Sequence, residues 1–479
     1  MAKIIGRKKE IEELQRLYKR DEAQLVTVQG RRRVGKTFLV RETFKDNFAF
    51  QHTGLSPLEH KGKSLLQAQL KAFQDSLNEY GGQYDKCPED WTEAFKWLKE
   101  LLSGKPKEVR QVVFIDEMPW LDTPKSKFVT AFEHFWNGWA SGQDNIMLIA
   151  CGSASGWITD HLIDSAGGFY GRSSSNIHLA PFTLAETEQL LHYHDIQFSR
   201  YDIAELYMAV GGIPYYLNLT TPGDSVAQTI DRLFFAKNAK LNDEFNRLFN
   251  SIFVKADASK AVIRLLASRH SGFSRDEIIK KTGISAGRES SKLLKALVAA
   301  DFIELYQPFG NDKRHLRYRL TDPFCWFWLQ QVEGKMREPN YWQSHQNQPE
   351  LNTWRGIAFE ELCLLHSQQI KCALGVGQVA SAQSSWSVSG DENEKGHQID
   401  LIINRADRVV NMCEMKCYND DFEVSAEYAR TIRKRVNRVI ENVGKRASVH
   451  PTLVTTFGLR YGANSGVFAK TVTLDDLFQ

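Results

Sequence analysis

The chain has 479 residues, of which 42% are hydrophobic and 25% charged, and its formal net charge is +3. This length predicts three or four domains, and the hydrophobic share is ordinary for a globular protein. No run approaches 18 apolar residues, so no membrane association is expected. The small net charge gives no global argument for nucleic-acid binding. The seven cysteines form no C-x-x-C pair, which predicts a reducing compartment, the cytoplasm, and no structural zinc.

The first motif along the chain is Gly30–Thr37, which fits the P-loop pattern G-x-x-x-x-G-K-[ST]. It follows a strand-like run, Leu25–Val28, and precedes a helix-like one, Phe38–Phe44, which is the context that the pattern requires. Its glycines let backbone N–H groups converge on phosphate oxygens, and the new helix adds its positive end. Lys36 is expected on the β- and γ-phosphates and Thr37 on Mg²⁺. The predicted nucleotide-binding residues of the loop are Gly30, Arg31, Arg32, Arg33, Val34, Gly35, Lys36 and Thr37.

A second motif, Val112–Glu117, consists of four apolar residues followed by two carboxylates. The apolar part is typical of a strand buried in a parallel sheet, whose carboxyl end faces the ligand crevice. We expect Asp116 to organise the Mg²⁺ shell and Glu117 to orient and polarise an attacking water, so the pair predicts hydrolysis of the nucleotide. A later apolar run ends in Ser153, which is expected beside the γ-phosphate as a sensor; the alternative is an ordinary turn serine.

Alternating strand-like and helix-like runs near the start predict an α/β parallel sheet. The next segment lacks long strand signals and predicts a helical lid. Three helices and a β-hairpin then predict a winged helix, followed by an aromatic-rich connecting helix with a linker, and finally a second α/β domain. The predicted domains are 1–180 for the P-loop core, 181–255 for the lid, 256–322 for the winged helix, 323–350 for the connection and 351–479 for the C-terminal domain.

Two segments are locally basic. Residues 258–322 hold 13 Lys and Arg against 7 Asp and Glu, and residues 425–446 hold 7 against 2. In a winged helix the third helix, here Ala286–Ala300, and the hairpin tip, here Gly310–Arg314, are the parts that contact DNA. Such a fold also serves as a spacer between domains. The modest charge excess is compatible with either function, DNA contact or spacer.

The C-terminal domain begins with a predicted helix, Gly356–Gln369, and a polar, poorly ordered loop, Ser384–Gly396. Two strand-like runs follow, at Gln398–Ile403 and Val409–Lys416.

Charged side chains on these two strands predict a second active site. Glu414 and Lys416 are two residues apart and therefore face the same side of their strand, and Asp400 lies within hairpin reach. An acid followed by E-x-K on the adjacent strand is typical of a metal-dependent phosphodiesterase, and oxygen ligands suit Mg²⁺. We expect Asp400 and Glu414 to hold the metal. Lys416 would neutralise charge or position the nucleophile, and Glu360 would complete the site. Such short patterns also arise by chance.

Together these motifs resemble the archaeal-type P-loop ATPases of the STAND/AAA+ class. Members of that family often carry a winged helix and end in a nuclease-like domain of uncharacterised function with the PD-(D/E)xK fold, which Asp400, Glu414 and Lys416 match. The resemblance rests on I-G-R-x-x-E-I at 5–11, G-R-R-R-V-G-K-T at 30–37, F-I-D-E at 114–117, C-G-S at 151–153, L-A-P-F-T at 179–183, G-G-I-P-Y-Y-L at 211–217 and D-P-F-x-x-F-W at 322–328.

By that resemblance, Ile5, Gly6, Arg7 and Pro214 flank the adenine pocket. Arg172 corresponds to a position where such ATPases often keep a basic residue; it would act as an arginine finger on another subunit or sense the γ-phosphate, and an ordinary surface arginine is the alternative. The resemblance also implies a nucleotide switch whose hydrolysis moves the lid and the winged helix.

The sequence thus predicts an α/β multidomain protein with a P-loop AAA+-type parallel sheet, a helical lid, a winged helix and a C-terminal restriction-endonuclease-like α/β domain. Its expected activity is Mg²⁺-dependent ATP hydrolysis coupled to a Mg²⁺-dependent DNA nuclease, in defence against mobile DNA or in repair. DNA, a protein partner and further copies of the chain on ATP binding are the expected partners. The alternatives are an ATP-driven switch that binds DNA or protein without cleavage, and an ATPase that remodels or loads other proteins.

Overall fold

The computed structural model divides into two compact units. The first comprises residues 1–181, 247–256 and 291–301, and the second comprises 182–246, 257–290 and 302–479. The residues that the structure describes are 4–45, 47–57, 63–164, 168–169, 171–253, 255–310, 315–335, 338, 340–388, 397–444 and 447–479.

The first unit is built on a sheet in which every pair of neighbouring strands is parallel, in the order β2-β3-β4-β1-β5. The predicted parallel α/β sheet is therefore confirmed. Short 3₁₀ turns lie at Met118–Trp120 and Ala140–Gly142, and a π turn lies at Thr159–Ile163. The elements are α1 Lys8–Tyr18, β1 Gln24–Gln29, α2 Lys36–Phe44, β2 Phe50–Thr53, α3 Lys63–Glu79, α4 Trp91–Ser103, β3 Gln111–Asp116, α5 Phe128–Gly138, β4 Ile146–Gly152, α6 Ser155–Ile158 and β5 Ser175–His178.

The sequence of these elements explains why they pack as they do. Strands β3 and β4 are buried along their whole length, as their apolar runs predict for the middle of a parallel sheet. Asp90 caps the start of α4, and its side chain accepts a hydrogen bond from the N–H of Glu93 at 3.0 Å. Each large apolar side chain buried against the sheet contributes roughly 1.5–3 kcal/mol. The buried stripe of α4 is Trp91, Ala94, Phe95, Leu98 and Leu102.

The rest of the chain is helical up to residue 299 and contains two further groups of strands. Residues 247–256 and 291–301, which belong to the first unit, include parts of α11, α12 and α14. π turns lie at Asp231–Phe235 and Trp328–Val332. The elements are α7 Leu184–Tyr193, α8 Arg200–Val210, α9 Pro214–Leu217, α10 Val226–Ile230, α11 Glu244–Ile252, α12 Ala256–Ala267, α13 Arg275–Thr282, α14 Arg288–Ala299, β6 Ile303–Tyr306, β7 Arg317–Leu320, α15 Pro323–Phe327, α16 Tyr341–Ser344, α17 Pro349–Leu365, α18 Ser367–Ala373, β8 Ser381–Val388, β9 His397–Arg405, β10 Val409–Lys416, α19 Ala426–Val443, β11 Ser448–Thr455 and β12 Lys470–Thr473.

The segment predicted as a winged helix has the expected order of elements. Helices α12, α13 and α14 precede β6 and β7, which pair antiparallel with Ile303 opposite Leu320. Helix α13 begins with a capping box, formed by Ser274 and Glu277. From Ser291 onward the third helix belongs to the first compact unit, and the hairpin tip, 311–314, lies outside the described residues. A separate DNA-binding module therefore stays a prediction.

The C-terminal sheet has the strand order β12-β11-β10-β9-β8. Strand β9 pairs antiparallel with both β8 and β10. Helix α19 then connects β10 to β11, and β10, β11 and β12 pair parallel with one another in turn. Apolar side chains of β9, β10, β11 and α19 form one core, which includes Ile402, Met412, Ile432, Val439 and Leu453.

Three sequence-based predictions in this region are corrected. The helix expected at 356–369 is longer and broken, since α17 covers 349–365 and α18 covers 367–373. The linker expected in the second half of the 323–350 connection contains α16 and the start of α17. The loop expected at 384–396 begins as strand β8, because pairing with β9 supplies the hydrogen bonds that this polar segment lacks locally; residues 389–396 lie outside the described part. In the part of the chain that the structure describes, no helix is both long and apolar enough to cross a membrane.

Candidate functional site

The P-loop turns between β1 and α2 in a way that only glycine allows at two positions. Gly30 has φ 146°, and a Cβ atom there would lie 2.3 Å from the carbonyl oxygen of Leu179. Gly35 has φ 94° and caps α2. With these left-handed conformations, the backbone of the loop passes over the N-terminal end of the helix, where the free N–H groups attract anions.

The strand order brings three predicted site residues together. Strand β4, which ends next to Ser153, lies between β1, which carries the P-loop, and β3, which carries the carboxylates. Lys36 Nζ donates to the carbonyl oxygens of Gly30 and Arg31, both at 3.0 Å, and to Ser153 Oγ at 3.1 Å. Ser153 in turn donates to Glu117, from Oγ at 2.8 Å and from its backbone N–H at 3.1 Å. A continuous set of hydrogen bonds thus joins the P-loop to Glu117.

Glu117 itself has an unusual backbone conformation. Its φ is 45° and its ψ is 42°, a left-handed geometry that is uncommon for a residue with a side chain. Such conformations cost free energy and persist where the surroundings determine them, often in functional sites. The two hydrogen bonds from Ser153 are the contacts that fix its carboxylate here.

Thr37 and Asp116 offer the oxygen ligands that Mg²⁺ prefers. Thr37 Oγ1 donates to Asp116 Oδ2 at 2.7 Å, and Asp116 Oδ1 accepts from the N–H of Glu117 at 3.0 Å. Asp116 is 4% exposed. A hydroxyl and a carboxylate at the phosphate end of the loop are suited to hold the ion beside a nucleotide, so the residues present fit the predicted metal.

The I-G-R segment lies beside the P-loop in the first unit. Gly6 and Arg7 have φ values of 64° and 56°, and Arg7 Nη2 donates to the carbonyl oxygen of Val34 at 3.5 Å. Ile5 is half-buried. The structure therefore brings this segment to the loop, and its place beside the adenine stays a prediction.

The arginines of the loop have different surroundings. Arg31 is fully buried, which was not apparent from the sequence. The guanidinium of Arg32 lies 5.8 Å from the centre of the ring of Trp120, a residue that follows the carboxylate motif in the chain. Arg33 is half-buried and has a left-handed backbone, with φ 74°.

For two predicted residues, the described part of the chain shows no contact with the loop inside the loop's own unit. Arg172 is exposed, in the turn before β5, and its backbone N–H donates to the carbonyl oxygen of Phe169 at 3.0 Å. Pro214 is the first residue of α9 and belongs to the second unit. Their roles stay predictions.

In the C-terminal sheet, Asp400 and Glu414 lie on adjacent antiparallel strands. The register pairs Cys413 with Leu401, and Glu414 and Asp400 come one residue further along. Asp400 Oδ2 accepts a hydrogen bond from the N–H of Met415 at 2.9 Å. Both carboxylates are buried, with 7% exposure for Asp400 and 0% for Glu414. The predicted hairpin pairing of the two acids is therefore present.

Helix α19 supplies two partners of Glu414 that the sequence reading missed. Arg435 forms an ion pair with Glu414 Oε2, and the hydroxyl of Tyr428 donates to the same oxygen at 3.1 Å. Burial raises the pKa of Glu414 and the charge of Asp400 raises it further, whereas Arg435 opposes both. In the sequence, the seven-residue spacing of Tyr428 and Arg435 indicates that both side chains lie on one face of the helix, but not that this face contacts Glu414.

The other carboxylate oxygen of Glu414, Oε1, is buried and has no hydrogen-bond partner among the residues that the structure describes. A buried carboxylate oxygen without a donor is costly, and a cation would satisfy it. Lys416 lies beside the pair, with Nζ 5.6 Å from the centre of the Tyr428 ring. The described residues contain no group of three or more His, Cys, Asp or Glu arranged to hold a metal ion.

Glu360, the acid predicted to complete this site, is held near it on α17. Burial raises the pKa of Glu360 to about 7, and the charge of Asp400 acts in the same direction. His270 Nδ1 lies 3.8 Å from Glu360, while its Nε2 lies 2.6 Å from the neighbouring Glu361. His270 and Glu361 were not identified from the sequence, because their meeting joins two segments that are far apart in the chain.

Comparisons with known proteins identify the N-terminal part. Residues 4–220 match the family described as an ATPase domain predominantly from Archaea. Over 439 residues the chain is 20% identical to an uncharacterised protein of Methanocaldococcus jannaschii, covering 90% of this chain and 91% of that relative. A Walker-type ATPase of Pyrococcus abyssi is 18% identical at a TM-score of 0.44, covering 68% of this chain and 96% of its own. The ORC2 protein of Aeropyrum pernix, solved in ADPNP and ADP complexes, is 14% identical at a TM-score of 0.36, covering 67% and 91%. The N-terminal part of the chain, residues 4–220, is therefore similar to archaeal-type ATPase domains.

Proposed function

We propose that the protein is an ATP-driven switch whose first unit binds ATP with Mg²⁺ and hydrolyses it. The observation that carries this proposal is the set of hydrogen bonds from Lys36 through Ser153 to Glu117, beside the contact of Thr37 with Asp116. A cation, two hydroxyls and two carboxylates at the end of a parallel sheet are the groups that phosphoryl transfer to water needs.

Each of these side chains has a distinct role in the proposed reaction. The ammonium of Lys36 neutralises the β- and γ-phosphates, which weakens its present bond to Ser153. Ser153 keeps its two bonds to Glu117 and so holds that carboxylate where it can orient a water and accept its proton. Thr37 and Asp116 would hold Mg²⁺, which supplies charge neutralisation on the phosphates when bound.

The remaining predicted residues surround this reaction. Ile5, Gly6 and Arg7 are proposed to flank the adenine, which the contact of Arg7 with Val34 supports. Pro214 is proposed to flank the same ring. Arg172, which is exposed, is proposed to reach the nucleotide of another copy of the chain.

Two substitutions test the ATPase proposal. Lys36→Ala removes the cation and should abolish tight ATP binding in isothermal titration. Glu117→Gln keeps the shape of the side chain but removes the base, so ATP should bind and persist without phosphate release. Glu108→Gln makes the same chemical change at an exposed site and should match the parent. Equal turnover by Glu117→Gln and the parent would refute the role of Glu117.

A second activity is proposed for the C-terminal sheet, namely Mg²⁺-dependent cleavage of DNA. The buried Asp400 and Glu414 pair, the unsatisfied Glu414 Oε1 and the nearby Lys416 support it. Asp400 and Glu414 would hold the ion, Glu360 would contribute through water, and Lys416 would approach the scissile phosphate.

The alternative is a switch that binds DNA or protein without cleavage, and one contact favours it. Arg435 already neutralises Glu414, so a divalent ion must compete with a half-buried guanidinium for that carboxylate.

A nuclease assay with Mg²⁺ or Mn²⁺, with and without ATP, separates these two proposals. Asp400→Ala should remove both divalent-ion binding and cleavage, whereas Lys416→Ala should keep the ion and lose cleavage. ATP hydrolysis without DNA should survive both changes. If the parent cleaves no nucleic acid and Asp400→Ala binds divalent ions as well as the parent does, the domain is a binding module.

The proposed function also suggests a biological role for the protein. ATP binding would set the position or the self-assembly of the protein on DNA in the cytoplasm, in defence against mobile DNA or in repair. A protein partner loaded or remodelled by the ATPase is the remaining candidate, and a pull-down with and without ATP tests it.

A further inference from the structure

A cleft of about 930 Å³ lies within the second unit, between the β6–β7 hairpin and the C-terminal sheet. The segment after β6, Tyr306–Gly310, forms one wall. The β9–β10 turn contributes Asn404, Arg405 and Arg408, and the end of α19 contributes Asn442. The lining does not include Asp400, Glu414 or Lys416, so this cleft is distinct from the acidic site described above.

Backbone contacts hold the walls of the cleft in place. The N–H of Phe309 donates to the carbonyl oxygen of Ser385 at 3.1 Å, which ties the hairpin segment to β8. Gly310 has φ 76°, and a Cβ atom there would lie 2.8 Å from Asn442 Nδ2, so the segment also passes close to α19. The cleft is therefore formed before any ligand binds, which reduces the entropic cost of binding.

The charges in the cleft leave a positive excess at one place. Arg319 is paired with Glu304, and Arg405 is paired with Asp407. Arg408 is exposed, and no salt bridge to it occurs among the described residues. Its left-handed backbone, with φ 66°, belongs to the turn that joins β9 to β10. An unpaired guanidinium on a turn of the cleft wall attracts an anion, above all a phosphate, which it binds through two parallel hydrogen bonds.

The size and lining of the cleft favour a single nucleic-acid strand as the source of that phosphate. Its volume lies at the upper end of the roughly 300–1,000 Å³ that sites for single small ligands span, so it admits a short single-stranded segment and is too small for a duplex. Proteins that bind single strands combine cationic grooves with aromatic side chains, and Tyr306 and Phe309 line the same cleft as Arg408. Exposed Asn404 adds an amide that can donate to phosphate or to a base edge.

We propose that this cleft binds a single nucleic-acid strand, with Arg408 on a backbone phosphate. The proposal shares with the proposed function only the class of partner. It assigns that partner to a cleft separate from the acidic site, and it does not require ATP hydrolysis or cleavage.

The test is fluorescence anisotropy with the full chain and a labelled single-stranded DNA oligonucleotide, at several salt concentrations and without divalent ions. Arg408→Glu should weaken binding about tenfold or more and should lower the slope of log affinity against log salt by about 0.7, the loss of one phosphate contact. Arg433→Glu makes the same charge change on an exposed face of α19 outside the cleft and is the matched control. Thermal melting and ATP turnover of each variant show whether the fold and the first unit are intact.

Three results would overturn the proposal. Binding by Arg408→Glu equal to the parent would exclude the cleft. An equal loss with Arg433→Glu would show diffuse attraction to a basic surface. Competition by a mononucleotide as strong as by an oligonucleotide, at equal nucleotide concentration, would assign the cleft to a small phosphorylated ligand. A failure of ATP hydrolysis in the parent bears on the proposed function alone, because strand binding is measured without ATP.

Discussion

Removing one hydroxyl, in Ser153→Ala, should separate ATP binding from ATP hydrolysis. Ser153 Oγ accepts from Lys36 Nζ at 3.1 Å and donates to Glu117 Oε1 at 2.8 Å, and the residue is only 4% exposed. Alanine removes both bonds but keeps the backbone N–H that donates to Glu117 at 3.1 Å. The carboxylate therefore loses one of its two anchors from this residue.

The size of the effect follows from the bond to Glu117. A hydrogen bond to a charged group is worth about 1.5–3 kcal/mol, which corresponds to roughly 10–150-fold in rate if the full amount is lost from the transition state. ATP affinity should change far less, because Lys36 keeps the carbonyl oxygens of Gly30 and Arg31 until the phosphates replace them.

Phosphate release under saturating ATP, with affinity measured by isothermal titration, distinguishes the two effects. The matched control is Ser155→Ala, since Ser155 Oγ is also buried but has no hydrogen-bond partner among the described residues. That variant should turn over ATP like the parent. Equal turnover by Ser153→Ala, Ser155→Ala and the parent would refute the link from Ser153 to Glu117.

Three further predictions concern other parts of the chain. If Arg172 acts on the nucleotide of another copy, ATPase activity per protein molecule should rise with protein concentration, and Arg172→Ala should reduce that rise. If the specific activity of both proteins stays constant over about a hundredfold dilution, Arg172 has no role in hydrolysis. The hydrogen bond that the His178 imidazole donates to the Asp301 carboxylate raises the pKa of His178 above 6.5, although burial opposes it. That contact stabilises the fold below this pH and is lost as pH rises through the raised pKa, so His178→Ala should lower the free energy of unfolding more at about pH 5.5 than at about pH 8.5. Arg435→Ala leaves the buried Glu414 carboxylate without its cation and should cost about 3–5 kcal/mol in urea unfolding, and an unchanged free energy of unfolding would contradict it.

Local features of the sequence were sufficient to predict the P-loop and its sheet. The conformation of Gly30–Thr37 depends on glycines and on a helix that starts within the motif itself, so neighbours along the chain decide it. The run Val112–Ile115 is apolar on every residue, a pattern that is typical of a strand covered on both faces of a parallel sheet. The predicted α/β class followed from these short-range signals.

In the C-terminal sheet, local features of the sequence were sufficient for some predictions and insufficient for others. The acids Asp400 and Glu414 could be paired from the sequence, because a hairpin joins their strands through only a few residues. The part of β8 from Ser384 onward is predicted as a loop because it is rich in serine, and it forms a strand through its hydrogen bonds with β9. The partners of Glu414 were missed, since Arg435 meets it only after α19 folds back across the sheet.

The sequence by itself therefore determined which chemical groups this protein possesses and which of its loops and strands carry them. The tertiary structure alone decided which groups meet. Lys36 and Ser153 are 117 residues apart, and they are in contact because β4 lies next to β1 in the sheet. Strand order is set by the packing of whole helices and strands against one another, and no local pattern of residues contains that information.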